Sequence, residues 1–124
     1  MRKPIEEILD ERILLLDGGF GTMVQGYGLD EAAYRGDWER HLRGCNDLLA
    51  LTCPDVVREI HEKYLAAGAD IIETDSFNAN AVSLADYGLE GCAYEIARAA
   101  AGVARAAADA FTARNPLKPR FVAG

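Results

Sequence analysis

The sequence predicts an α/β fold with parallel strands, in the order β-α-β-α-β, and three observations carry that prediction. The stretch ILLLDGGFGT, Ile13 to Thr22, opens with four apolar residues in a row and ends at an acid and three glycines. Unbroken apolar runs of this length are the pattern of strands covered on both faces. A second such strand, Asp70-Ile71-Ile72-Glu73-Thr74, follows a segment of clear helical period. Strand, helix and strand within about sixty residues form a βαβ unit, whose strands are parallel and joined by a right-handed crossover.

Taken in order, Pro4 to Glu11 predicts a short helix, with Ile5, Ile8 and Leu9 on one side and acids on the other. It is expected to cover one end of the first strand. Beyond the Asp17 tip, Met23 to Thr52 holds Gly26, Gly28, Gly36 and Gly44 with Tyr34 and Trp38, and only Asp30 to Tyr34 looks helical. Connections this long are uncommon unless they are functional, so the stretch is expected to be a lid or binding loop with Trp38 as its candidate substrate contact.

From Pro54, residues Val56, Val57, Ile60, Tyr64 and Leu65 share one helical face. Thr52 or Cys53 is the expected cap, Pro54 suits the first helical position and Gly68 suits the exit. Glu59 and Lys63 add an i,i+4 pair. After the second strand come a short helical segment near Asn80 to Tyr87, breaks at Gly88 and Gly91, and a long alanine-rich helix from about Cys92 to Arg114 anchored by Ile96, Val103 and Phe111. Arg120 to Gly124 reads as the start of a third parallel strand. A sheet with an uncovered edge is not how a finished domain closes, so the expectation is a piece of a larger α/β protein.

Composition narrows the function classes. The 124 residues are 50% hydrophobic and 27% charged, the balance of a folded globular protein. Scattered basic residues against 20 acids, net −7, leave no stripe for nucleic acid or anionic lipid. No apolar run spans a bilayer and the amino terminus lacks a signal-type core, so no membrane partner is expected and the expected location is cytoplasmic. Three cysteines, Cys45, Cys53 and Cys92, fit neither a disulfide framework nor a C-x-x-C metal site and are expected to be reduced, structural thiols.

Chemistry concentrates at the strand tips. Asp17, at the carboxyl end of a buried strand and followed by Gly18 and Gly19, stands where α/β folds place ligand contacts. The G-G-x-G run lacks the spacing of a dinucleotide or P-loop motif, and the plain structural alternative is a tight turn. Glu73 and Asp75 share a strand face and, with Asp17, form a candidate cluster for an ammonium, a divalent ion or a mobile proton; solvated strand-end acids are the other reading. Ser76 and Asn78 add neutral polar groups. His61 is expected to be packed and hydrogen-bonded, and His41 has no evident partner. Neither pairs with a cysteine or serine as base and nucleophile.

At DGGFGTMVQ, RGCNDLLALTCPDVVREIHEKYLAAGADIIETDSFNA and ARNPLKPRFVAG, the chain resembles the amino-terminal homocysteine-binding domain of the cobalamin-dependent methionine synthase family, from about Glu11 to Gly124. The betaine- and S-methylmethionine-dependent homocysteine methyltransferases share the D-G-G tip, while R-G…N-D-L-L-x-L-T-x-P is nearer to methionine synthase.

The resemblance implies that residues 1–124 are the first β-α-β-α-β portion of a truncated (β/α)8 TIM barrel. It also implies transfer of a methyl group from methylcobalamin, recharged by methyltetrahydrofolate, to the zinc-bound thiolate of homocysteine, giving methionine. Zinc and cobalamin belong to the parent enzyme. The family's zinc ligands lie in asparagine-cysteine and glycine-glycine-cysteine-cysteine stretches that this sequence lacks, so no metal ligand and no catalytic residue is assigned here.

Asp17, Gly18, Gly19, Glu73, Thr74, Phe77 and Asn78 match family positions around the substrate, and Asp17 is implied to meet the homocysteine ammonium. Phe20, Asp75 and Ser76 depart from the common methionine, asparagine and threonine, with Asp75 expected to add negative charge. Folate- and cobalamin-binding domains are the implied downstream partners, and the chain alone is expected to be inactive. The alternatives are a homocysteine S-methyltransferase using another small methyl donor, and a non-catalytic ligand-binding module.

Overall fold

The computed structural model describes residues 2–124. Helix α1 (Ile5–Glu11) leads into an extended segment, Ile13–Leu16, that pairs in parallel with strand β1 (Ile71–Glu73) through a single bridge at Leu16 and Ile71. The Asp17 amide donates to the Ile71 carbonyl (2.9 Å) and the Ile71 amide to Leu15 (3.1 Å). On its other side β1 pairs in parallel with β2 (Phe121–Ala123), Ile71 opposite Phe121 and Glu73 opposite Ala123. The predicted strand order and direction hold, so Asp17, Thr74 and Gly124 all stand at one end of the sheet.

The first strand departs from expectation. Ile13, Leu15 and Leu16 are 84%, 59% and 57% exposed rather than covered on both faces. Among the described residues this segment has a neighbour on one side only, and an apolar run is buried only where something lies against it.

Helix α5 (Pro54–Ala67) forms as predicted. Pro54 sits at its start, and Gly68 closes it in the left-handed region (φ 114°), where its amide reaches the Leu65 carbonyl. Cys53 occupies the cap position without a side-chain hydrogen bond, and the Glu59–Lys63 pair forms at 3.4 Å. Arg120 donates through one nitrogen to the carbonyls of Leu65 and Ala69 (2.5 and 2.9 Å), a cation on the carbonyl end of α5.

Helix α7 (Ala93–Arg114) buries Ile96, Ala100, Ala104, Ala107 and Ala108, while the predicted anchors Val103 and Phe111 are only half-buried. Alanines four residues apart let α7 lie close against α5 and β1, with Leu65 and Ile72 filling the space between.

Met23 to Thr52, expected to be a lid or binding loop, is mostly a folded core segment, and only Gly44 to Asp47 of it lines the cavity at the strand tips. It folds into α2 (Gly21–Gln25), α3 (Glu31–Arg35, capped by the Asp30 side chain), a 3₁₀ turn (Asn46–Leu48) and α4 (Leu49–Thr52). Leu42, Leu48 and Leu49 are fully buried, and Trp38 packs on that core. Asp30 to Tyr34, which looks helical in the sequence, corresponds to α3; the other helices of three to five residues are too short to show a period. After β1 the chain forms α6 (Ala81–Leu84), capped by Asn80, and 3₁₀ turns at Ala85–Tyr87 and Glu90–Cys92.

At the amino ends of the strands, Asp70 is buried and accepts both guanidinium nitrogens of Arg12 (3.0 and 2.7 Å) and the Leu15 amide (3.0 Å). Burial works against the carboxylate, but those hydrogen bonds prevail and hold its pKa below the ordinary range. The network ties the first segment to β1 at the end opposite the tips.

Candidate functional site

The strand tips open into a cavity of about 540 Å³. Asp17 and Gly18 come from the first tip, Glu73, Thr74, Phe77 and Asn78 from the second. Six of the seven sequence-predicted positions therefore meet in one place. Gly19 is not among the lining residues; its carbonyl accepts the Tyr64 hydroxyl at 2.6 Å.

The glycines at this tip serve packing. A Cβ at Gly18 would lie 3.1 Å from the Tyr64 hydroxyl oxygen and 3.2 Å from its ring, so Gly18 lets α5 approach the tip. Asp17 divides its carboxylate. Oδ2 accepts the Glu73 amide (3.1 Å), which ties the two tips together, while Oδ1 is buried without a partner. Burial raises the Asp17 pKa, the Glu73 amide partly offsets that, and the Glu73 charge adds to the rise.

Two further walls complete the site, the first from the stretch expected to be a lid or binding loop and the second not anticipated. Gly44, Cys45, Asn46 and Asp47 come from the supposed lid, and Ser83, Asp86 and Tyr87 from α6 and the turn after it. The quoted R-G-C-N-D stretch contains the first wall, but nothing local to it marks a ligand contact.

Asp47 organises that wall. It is 6% exposed, its Oδ2 accepts the Asn78 amide (2.6 Å), and its carboxyl meets that of Asp75, itself 5% exposed. The expected trio of Asp17, Glu73 and Asp75 is thus not the arrangement found. Glu73 is exposed, and Asp75 pairs with Asp47 because the chain turns inward after β1. Burial first, then the hydrogen bond and charge of Asp47, push Asp75 up to about 9. Near neutral pH Asp75 holds a proton rather than adding the expected negative charge.

Among the described residues no three His, Cys, Asp or Glu side chains gather as a metal-ligating group. Cys45 lines the cavity, and burial raises its pKa, so it stays a thiol; Cys53 leans its sulfur on the Ala33 carbonyl. All three cysteines are free.

His61 lies outside the cavity on the buried face of α5, 6.0 Å from the Phe20 ring. Neither ring nitrogen has a partner, contrary to the expected hydrogen-bonded imidazole, and burial lowers its pKa to about 4. Trp38 does not reach the cavity. No helix among the described residues is long and apolar enough to cross a membrane.

Residues 14–124 match the homocysteine S-methyltransferase family. Among solved structures, the chain is similar to the homocysteine methyltransferase MmuM from Escherichia coli. The oxidized form matches at 28% identity and a TM-score of 0.77, over 99% of this chain and 40% of that one. The metallated form matches at 28% and 0.75 over 98% and 40%. The apo form matches at 29% and 0.67 over 98% and 39%. The chain thus spans about 40% of the length of these structures.

Proposed function

The chain belongs to the homocysteine S-methyltransferase family, and we propose that it forms the first part of the homocysteine-binding barrel of a cobalamin-dependent methionine synthase. The observation that carries this reading is Asp17. Its Oδ2 is committed to the Glu73 amide and its Oδ1 is buried and unpartnered, and the residue lines a cavity built from both strand tips. A buried carboxylate oxygen without a donor costs free energy that a ligand N–H recovers. The ammonium of homocysteine is such a donor.

Asp86 and Glu73 lie on the same cavity, with no Lys, Arg or His among the described lining residues, so the field favours the cationic end of an amino acid. Thr74, Phe77 and Asn78 shape the rim through which the substrate's side chain leaves toward the methyl donor, and Gly18 and Gly19 hold the Asp17 tip against Tyr64. In the reaction a C–S bond forms as the donor's bond to methyl breaks, and the thiol proton leaves. The residues of this chain bind and orient the amino-acid end. Zinc and cobalamin are assigned to the remainder of the enzyme, as are the folate- and cobalamin-binding partners.

The phrase R-G-C-N-D-L-L-A-L-T-C-P supports the cobalamin-dependent reading. The likeness to MmuM favours a second one, a homocysteine methyltransferase that uses another small methyl donor. Isotope-labelled methyl transfer to homocysteine by the complete protein separates them. Label arriving from methylcobalamin but not from a sulfonium or betaine donor is expected; the reverse selects the second reading, and no methionine from any donor overturns both.

A further inference from the structure

We propose that Asp47 and Asp75 form a second recognition corner of the cavity, a carboxyl pair that carries one proton when the cavity is empty and exchanges it for the ammonium of a bound amino acid. This rests on the cavity being the homocysteine site and adds to it a charge-matching device that Asp17 alone does not supply.

The geometry points to a ligand. Asp47 comes from the 3₁₀ turn before α4 and Asp75 from two residues beyond β1, so separate elements bring the two carboxyls together. Both are more than nine-tenths buried and both line the cavity. The Asn78 amide satisfies Asp47 Oδ2, but among the described residues no donor other than the carboxyl of Asp47 itself is available to Asp75 Oδ2. The other groups on the walls do not compensate. Asp17, Glu73 and Asp86 are acids, and Cys45 and Tyr87 are raised by burial and stay neutral, as does Tyr34 beside them.

Two touching buried carboxyls without a cation share a proton, since both cannot ionise at that separation. An entering ammonium removes the reason for the proton. The pair bears −1 with one proton and, ionised around an ammonium, −2 plus one, again −1. The proton leaves for solvent, and no other bond changes. Carboxylate oxygens then face a charged donor, the strong form of hydrogen bond.

The test uses the complete protein, with difference infrared spectroscopy in the protonated-carboxyl C=O region and calorimetric affinities for two ligands. These are homocysteine and 4-sulfanylbutanoate, which keeps the thiol and the carboxylate but lacks the amine. Homocysteine is expected to erase a protonated-carboxyl band that 4-sulfanylbutanoate leaves in place and that Asp75→Asn lacks from the start. The double variant Asp47→Asn/Asp75→Asn is expected to bind homocysteine about tenfold more weakly while its affinity for 4-sulfanylbutanoate stays within about twofold. Asp75→Asn keeps shape and volume and gives the band comparison independently of the double variant's folding.

Homocysteine binding with the band unchanged, or equal weakening of both ligands, overturns the assignment and leaves the homocysteine reading standing. Failure of the wild type to bind homocysteine at all overturns both.

Discussion

At the scale of single residues, Asp17 performs two tasks with two oxygens, and they predict different consequences for one substitution. Asp17→Asn keeps an acceptor for the Glu73 amide but removes the negative charge of a residue that lines the cavity. Its homocysteine affinity is expected to fall by a factor of about ten or more, while unfolding free energy changes by less than about 0.5 kcal/mol. Calorimetric binding and urea unfolding on the same preparation check both, and a large stability loss with unchanged affinity would show that Asp17 is only a turn-former.

His61 is the converse case, a buried titratable group that does not line the cavity. Its folded pKa, about 4, lies below the ordinary 6.5, so the unfolded chain binds a proton first as pH falls. Its contribution to stability is whole above pH 6.5, declines as pH drops from there toward 4, and is gone below. The loss is roughly 3 kcal/mol by the linkage relation. Urea unfolding from pH 7 to 4 is expected to show this slope in the wild type and a flatter one in His61→Leu; identical slopes would place the acid sensitivity elsewhere.

Asp75 works in the opposite direction. An acid whose folded pKa, about 9, is raised above its unfolded value binds more protons folded than unfolded, so stability declines as pH rises from about 4 toward 9. Asp75→Asn is expected to be the more stable protein at pH 8, by about 1 kcal/mol. A lower unfolding midpoint for the variant at that pH would contradict the pairing with Asp47.

At the scale of elements, α7 shows what an alanine-rich helix contributes. Ala100, Ala104 and Ala108 are fully buried, so their small size sets how near α5 and the sheet can come. Ala104→Leu is expected to cost about 1–3 kcal/mol by overpacking, whereas Ala101→Leu, on the exposed side, stays within about 0.5 kcal/mol. Equal effects in thermal unfolding would mean that the stripe is not a contact surface. Helix α5, the position of α7 and the direction of the strands were readable because each extends over enough residues for a period or a cap signal to show. Helix α3 was readable from Asp30 to Tyr34, but α2 and α4 were not, since the burial of this stretch comes from Leu42, Leu48 and Leu49 meeting side chains distant in sequence.

At the scale of the whole molecule, the cavity is walled by residues from the first tip through Tyr87, and the first segment leaves Ile13, Leu15 and Leu16 exposed. The solved relatives are about two and a half times as long, the reciprocal of the 40% share that this chain covers. The 124 residues by themselves, with zinc supplied, are therefore expected to give no methyl transfer to homocysteine, as measured by methionine formation. Turnover would show that these residues suffice for chemistry that no metal-ligating group among them explains.

The parallel β-α-β-α-β order, the helix α5 with its proline start and glycine exit, and the concentration of polar residues at the strand tips are legible in the amino-acid sequence. Each of these is written in neighbouring residues, through periodicity, capping and abrupt changes of polarity. Tertiary contacts alone revealed that most of the expected lid or binding loop is a core segment, that Gly18 makes room for Tyr64, and that Asp75 is buried against Asp47, 28 residues before it in the chain. Burial and the meeting of two like charges depend on which distant segments the fold brings into contact, and local pattern carries no record of that.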